Sequence, residues 1–258
     1  MRQADHTEVK QWLTQRGLAD VEPTPLLATR LAVRRRAKVA DSLLLAAFLI
    51  GAALTHALSL PADGTSWLPL LVLATLVVGL LVAQWLLGGW VRRVDQQAGG
   101  ELPRRVAHPV ELGWQAVLGR PHAVFAVATL TGALLLALSV LPIADSTLRN
   151  GAIVVLIGLC GTGVGVVLQL RQVLASPAVA EDEASLTADV IMRVEDARAL
   201  VTPSLVWSLP AIFLYGESLG WWNAVSVALV VAGVLALCLV QFRTADVGTA
   251  ARRAMATR

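Results

Sequence analysis

Charged residues are scarce in this chain of 258 residues, and they are missing altogether from several long stretches. Only 15% of the residues are charged and 56% are hydrophobic, which is far from the composition of an average soluble protein. A soluble helical bundle needs a polar face on each helix, and these stretches have none. The composition therefore excludes an ordinary soluble protein and indicates a chain embedded in a lipid bilayer.

Cysteine is also rare, and Cys160 and Cys238 both lie in apolar stretches. Neither has a His, Cys or Asp neighbour at the spacing of metal ligands, so no metal site, redox motif or cofactor is predicted. Measured from the outer ends of their stretches, the two differ in depth by roughly 12 Å at 1.5 Å per helical residue. A disulfide between them is therefore not expected.

Apolar sequence without charge makes up most of the chain instead. About 20 apolar residues are needed to cross a bilayer, and an ionised side chain at its centre is costly. Windows that meet this requirement lie at 42–62, 64–91, 121–144, 150–170, 199–216 and 218–242. Pro203 and Pro210 predict a kink in the fifth window. The predicted fold is all-α, a polytopic membrane protein with six transmembrane helices.

Basic residues predict the orientation of these spans. Only Arg149, of 21 basic residues, falls in a loop on the other side of the membrane from the rest. Lys and Arg next to spans are retained in the cytoplasm, so both termini are predicted to be cytoplasmic. Lys10 and Lys38 are the only lysines, and this preference for arginine is typical of a GC-rich genome. The predicted location is the inner membrane of a bacterium.

The six spans pair into three helical hairpins at a nearly regular spacing. An internal duplication stays an open hypothesis, because apolar helices converge easily and the middle hairpin matches poorly. The predicted organisation is a cytoplasmic N-terminal segment at 1–39, a six-helix membrane domain at 40–242 and a cytoplasmic tail at 243–258.

Apolar stripes at helical spacing mark the cytoplasmic stretches. They consist of Val9, Trp12 and Leu13, then Val110, Trp114, Val117 and Leu118, then Leu186, Val190, Val194, Ala197 and Val201. In the third stretch, Asp189 and Arg193 are placed to pair on the helix surface. We interpret the stripes as interfacial helices along the inner headgroups, with docking of a soluble partner as the alternative.

Two charge clusters indicate partners. A basic collar beside the first span suits anionic headgroups of the inner leaflet; it contains Arg30, Arg34, Arg35, Arg36 and Lys38. The stretch 172–202 instead holds six acids against two arginines, so the same headgroups would repel it. Its acidic part, 181–201, is a candidate surface for a cytoplasmic protein partner, with a solvated loop as the alternative. No nucleic-acid partner is expected.

Glycines share one face of the fourth span, at Gly158, Gly161 and Gly165. Such a face allows close helix packing and predicts self-association as one use of it. The run Gly-Thr-Gly-Val-Gly at 161–165 superficially resembles a potassium filter. It lies inside a continuous span, so a channel is not predicted.

A GxSxG pattern at 216–220 places Ser218 on the same side of the membrane as His56. A nucleophile elbow requires a strand, a turn and a helix, which two membrane helices do not supply. The chain is therefore predicted not to be an enzyme and to have no catalytic residues. A membrane serine hydrolase is kept as a minor alternative.

Polar residues within the spans are few, and no carboxylate or base lies at mid-depth, which disfavours an ion-coupled carrier. Six spans, cytoplasmic termini, an N-terminal interfacial helix and a helical loop after span two resemble the topology of ABC-2 type exporter permeases. The last outer loop departs from that family, where it usually carries re-entrant helices. The resemblance implies the membrane component of a transport assembly. The alternative is a non-transporting anchor or regulatory scaffold, favoured if Thr75, Gln84, Thr162 and Gln169 face lipid rather than one another.

Overall fold

A computed structural model describes residues 3–59, 67–100, 113–144, 146–176, 183–202, 206, 220–244 and 246–256. The protein is all-α across these residues. The helices are α1 (Gln3–Gln15), α2 (Pro25–Ser59), α3 (Leu68–Gly100), α4 (Trp114–Leu118), α5 (Arg120–Val140), α6 (Ser146–Ala175), α7 (Glu183–Leu200), α8 (Gly220–Arg243) and α9 (Val247–Ala256).

Five stretches of the described residues are helical, long and apolar enough to cross a membrane. They are Pro25–Thr55, Leu68–Ala98, Trp114–Val140, Leu148–Ala175 and Trp221–Arg243. Each corresponds to one of the predicted windows. The remaining window, 199–216, lies outside the described residues apart from 199–202 and Val206, and its two prolines are not among them.

The helices extend well past the apolar windows at one end. α2 begins at Pro25, where Thr24 caps it by accepting a hydrogen bond from the Leu27 amide at 3.2 Å. The second part of the predicted N-terminal segment is therefore a continuous extension of the first membrane helix. At the other end α6 begins at Ser146 rather than at 150, because Leu148 already packs into the apolar core with 3% of its surface exposed.

One apolar cluster fills the space between the long helices. Its buried members include Phe48 of α2, Leu73 of α3, Leu136 of α5 and Leu159 of α6. α2 packs on α3, α3 on α6, α6 on α5, and α5 on α8. Small residues permit these approaches: a Cβ added at Gly161 of α6 would lie 2.9 Å from a methyl carbon of Leu81 on α3.

The segments outside the apolar layer gather at a single end of the long helices, which we call the charged end. It consists of α1, residues 25–40 of α2, the last turns of α3, and α4, α7 and α9. α7 lies at its centre, in contact with α4, α6 and α9 on one side and packed against α1 and α2 on the other. Segments that are far apart in sequence therefore form one packed unit.

α7 is not an interfacial helix, and that prediction is wrong. Its stripe of Val190, Val194, Ala197 and Val201 is buried, but against α4 and α9 rather than against headgroups. The opposite face is buried as well, because Met192 packs against the α1 stripe. A helix that is apolar on two faces needs a covering layer on both sides.

The other two stripes also face the chain itself. Val9 and Leu13 of α1 are 2% and 1% exposed, and they pack against α2 and α7. In α4 the side chains of Val117 and Leu118 are buried against α7, whereas Trp114 is 47% exposed. Val110 lies outside the described residues.

The close approach between α9 and the segment after α1 can be tested at Gly248. A Cβ there would lie 2.7 Å from the backbone carbonyl oxygen of Arg16, so Gly248→Ala forces the two segments apart. We expect a loss of about 1–3 kcal/mol of stability, the usual range for overpacking. Thermal unfolding in detergent micelles measures the effect.

The control is Gly79→Ala, because nothing lies within 4 Å of a Cβ at that position of α3. It should leave the melting temperature unchanged or raise it, since alanine is favoured over glycine in a helix by up to about 1 kcal/mol. Equal melting temperatures for the two variants would show that α9 is not held at this contact.

Candidate functional site: a buried ion network

Arg30 and Arg34 lie one turn apart on α2 and point into the charged end. They are 3% and 7% exposed. The prediction that they belong to a headgroup-facing collar is therefore wrong. Arg35, Arg36 and Lys38 on the same stretch are exposed. The predicted collar is therefore divided between two arginines inside the protein and three basic side chains on its surface.

Asp95, near the end of α3, forms ion pairs with both arginines. The Nε of Arg30 lies 2.8 Å from its Oδ1, and the Nη2 of Arg34 lies 2.6 Å from its Oδ2. Arg34 also donates from Nη1 to Oδ1 at 3.0 Å, which completes a two-pronged contact between guanidinium and carboxylate. These bonds fix α2 against α3 where the two helices leave the apolar layer.

The same two arginines bind α7. The Nη2 of Arg30 lies 2.5 Å from the Oδ1 of Asp189, and the Nη2 of Arg34 lies 2.8 Å from the Oδ2 of Asp196. Asp189 is 1% exposed. Two arginines one turn apart on α2 therefore bind two aspartates about two turns apart on α7, which holds the two helices in one register.

Arg193 completes the network within α7. Its Nε lies 2.8 Å from the Oδ2 of Asp189, which confirms the predicted pair, although both side chains are buried rather than on the surface. Its Nη1 donates to the backbone carbonyl of Ser176 at 2.6 Å, just after the end of α6. Asp189 thus shares its two oxygens between α2 and α7, and α7 is also tied to α6.

Three arginines face three aspartates in this network, so the formal charges cancel. A buried ion avoids a large desolvation cost only when its partner and its hydrogen bonds are complete, and these contacts meet that condition. Arginines contact both oxygens of Asp95 and both oxygens of Asp189. Among the described residues no group of His, Cys, Asp and Glu could hold a metal ion.

A second ion cluster ties the segments on the far side of α7. Arg16, just after α1, lies 2.5 Å from Glu195 of α7 and 3.7 Å from Asp246, just before α9. Arg198 lies in the same cluster, and burial lowers the pKa of its guanidinium, an effect that nearby Asp246 partly offsets.

Thr75, Gln84, Thr162 and Gln169 have different surroundings in the structure. Thr75 is exposed and Thr162 is buried, but each donates to a carbonyl of its own helix at 2.8 Å. Gln84 donates to Asp41 of α2 at 2.9 Å, and Gln169 lies against Gly88 of α3. Both amides lie towards the charged end.

Two further predicted features have different outcomes. Ser218 and the side chain of His56 lie outside the described residues. Within the glycine face, Gly158 is buried and Gly161 lies against α3, whereas a Cβ at Gly165 would meet nothing within 4 Å. Close packing of Gly161 is thus intramolecular, and only Gly165 leaves open space for a second helix.

Asp95 was missed from the sequence, because it lies in the stretch 92–120, where five arginines outnumber three acidic residues. Spacing is the signal that could have found the other contact of these arginines, the one between α2 and α7. Arg30 and Arg34 are four residues apart, and Asp189 and Asp196 are seven apart, so each pair shares one helix face. Two such faces of opposite charge predict a contact between helices.

Removing one member of the network leaves a buried charge without its partner. We expect Arg34→Gln to destabilise the protein by about 3–5 kcal/mol, because Asp196 would lose the arginine that binds it and Asp95 would keep only Arg30. The neighbouring Arg35→Gln is the matched control, since its pair with Glu8 at 2.7 Å is on the surface and should contribute little. Thermal unfolding of the purified variants compares them, and equal melting temperatures would contradict a structural role for the network.

No protein-family model, no curated protein and no solved structure matches this chain. What the protein does is therefore inferred from its own residues and contacts.

Proposed function

We propose that this chain is a non-transporting membrane scaffold of the bacterial inner membrane, and that its working part is the charged end. The buried ion network is the observation that carries the proposal. It fixes α7 to α2 and α3 through several ion pairs, and all of its carboxylates are occupied by arginines. This chemistry favours holding a surface in place over turning over a substrate.

The permease-like component of a transport assembly is the competing proposal, and it rests on topology. Such a protein needs a polar route or a substrate site between its spans. The described spans enclose an apolar cluster, and their hydroxyl groups bond their own helices. These contacts support the scaffold over the permease.

Chain connectivity supports the sixth span and the three-hairpin arrangement as part of this proposal. Val201 packs into the apolar cluster of the charged end, while Val206 is buried in the cluster of the membrane layer. α8 then begins at Gly220, and its Trp222 packs in that same membrane-layer cluster. We therefore propose that the window 199–216 crosses the membrane as the sixth span and pairs with α8 as the third hairpin.

We propose that the charged end is in the cytoplasm, because the basic residues that the structure describes lie there, with the exception of Arg149. The exposed Arg35, Arg36 and Lys38 then meet the anionic headgroups of the inner leaflet.

Cysteine labelling in intact cells tests this orientation. Cys160 and Cys238 are first replaced by alanine, and Gln11→Cys or Asn150→Cys is then introduced at an exposed position at either end of the molecule. A membrane-impermeant maleimide should label Asn150→Cys in intact cells, and it should label Gln11→Cys only after the membrane is opened. The reverse pattern would refute cytoplasmic termini.

A scaffold needs an accessible surface, and the burial of α7 limits where that surface is. Residues 187–194 of α7 are all buried, so a partner that recognises 181–201 would meet only the ends of this stretch. Trp114 of α4 and Ala199 of α7 are exposed nearby, and Lys10 is exposed on α1. We propose the surface around Trp114 and Ala199 as the docking region.

Site-specific photocrosslinking in native membranes tests the scaffold against the permease. A photoreactive amino acid at Trp114 or Ala199 should give an adduct with another protein, whereas the same group at Ile191, which is 0% exposed, should react only within the chain. An adduct with an ATPase would favour the permease-like component. Absence of any protein adduct from the exposed positions, while Ile191 behaves as expected, would refute the scaffold.

A further inference from the structure

A lateral cleft opens between α5 and α8 in the apolar layer. Its volume is about 620 Å³, which is within the range of sites that bind small molecules. Ala128 of α5 and Ala232, Gly233 and Ala236 of α8 leave the space, and larger side chains such as Phe125 form its walls. The lining is almost entirely apolar, so the cleft suits a hydrocarbon and not a polar solute.

The cleft has the length of one lipid leaflet. Along α5 it extends from Arg120 to Thr129, and along α8 it extends from Val240 back to Leu229. At 1.5 Å per residue these segments are roughly 14 Å and 17 Å long. Half of a hydrocarbon core of about 30 Å is roughly 15 Å. The cleft therefore reaches from the charged end to near the middle of the bilayer.

Positive charge lies at the mouth of this cleft. Arg120 lines it and is exposed at the first residue of α5. Arg243 is exposed one turn beyond Val240, on the same side of α8, because residues three apart share a helix face. At the inner end the hydroxyl of Thr129 donates to the carbonyl of Phe125 at 2.9 Å. This hydroxyl therefore does not need a hydrogen-bond acceptor on a bound molecule.

We propose that this cleft binds one acyl chain of an anionic phospholipid from the leaflet at the charged end, with the phosphate between Arg120 and Arg243. The apolar walls recognise the chain, and the two guanidinium groups recognise the negative headgroup. The site is separate from the exposed collar of Arg35, Arg36 and Lys38, which lies on α2. The proposal does not depend on whether the protein is a scaffold or a permease.

A second copy of this chain fits the cleft less well. In a symmetric dimer of parallel membrane proteins the same surface meets itself, so Arg120 and Arg243 would be brought towards their own counterparts. Like charges at an interface oppose association, whereas an anionic lipid neutralises them.

Native mass spectrometry of the full-length protein in detergent, titrated with phosphatidylglycerol or phosphatidylcholine, tests the site. We expect one phosphatidylglycerol to bind with clear preference over phosphatidylcholine. The double variant Arg120→Gln/Arg243→Gln should weaken phosphatidylglycerol binding by roughly tenfold or more and remove the preference. Ala128→Leu/Ala232→Leu, which fills the cleft, should weaken the binding of both lipids.

Matched controls are available on other helices. Arg171→Gln removes an exposed arginine at the charged end of α6, and Ala53→Leu adds the same bulk to an exposed position of α2. Both should bind lipid like the unaltered chain.

Three results would overturn the proposal. One is equal binding of the two lipids, and another is equal loss in the cleft variants and the controls. The third is efficient disulfide crosslinking of two copies through Ala232→Cys in a background without Cys160 and Cys238, which would assign the cleft to a second copy of the chain.

Discussion

Two arginines one turn apart on α2 join the charged end to the membrane helices, and the rest of the structure is arranged around them. Arg30 and Arg34 each contact Asp95 of α3 and one aspartate of α7. A hydrophobic cluster of the same volume could stabilise these helices equally well, because burying ions is costly. Unlike hydrophobic contacts, these ion pairs form in only one relative position of the helices. We infer that the network mainly fixes the register of α7 against α2 and α3.

Different interactions stabilise the charged end and the membrane layer of the molecule. At the charged end, water surrounds the unit, so burying Ile191 or Met192 contributes about 1.5–3 kcal/mol for each side chain. In the membrane layer the lipid is as apolar as the helices, so burial contributes little and close fit matters more. Gly161 against Leu81 is an example of such fit. The long exposed apolar faces of α3 and α8 are ordinary in lipid and would be aggregation-prone in water.

The membrane helices could be predicted from the sequence because the cost of a charge in lipid is a local property. An uncharged window predicts a span whatever packs beside it, and five such windows are helical in the described residues. The buried stripe from Val190 to Val201 on α7 was predictable for the same reason, since periodicity is local. Its second face was not, because Ala188 and Met192 are ambiguous between surface and core.

The ion network could not be predicted in the same way, because a basic residue beside a span fits two environments equally well. Arg34 and Arg35 are neighbours of the same type, yet one binds two aspartates inside the protein and the other pairs with Glu8 on the surface. Which one turns inward depends on α3 and α7, and those segments are distant in sequence. In the sequence, only the spacing of the arginines on α2 and of the aspartates on α7 indicates that these two helices are in contact.

Helix continuity extends the effect of the network into the membrane. α2 runs without a break from Pro25 to Ser59, and α3 does so from Leu68 to Gly100. Beyond the network, Gln84 of α3 donates to Asp41 of α2, which ties the pair a second time at the border of the apolar layer. A rotation of α7 therefore has to break the ion pairs with Arg30 and Arg34 or turn both membrane helices with it. Because unpaired buried charges are costly, the second response is favoured.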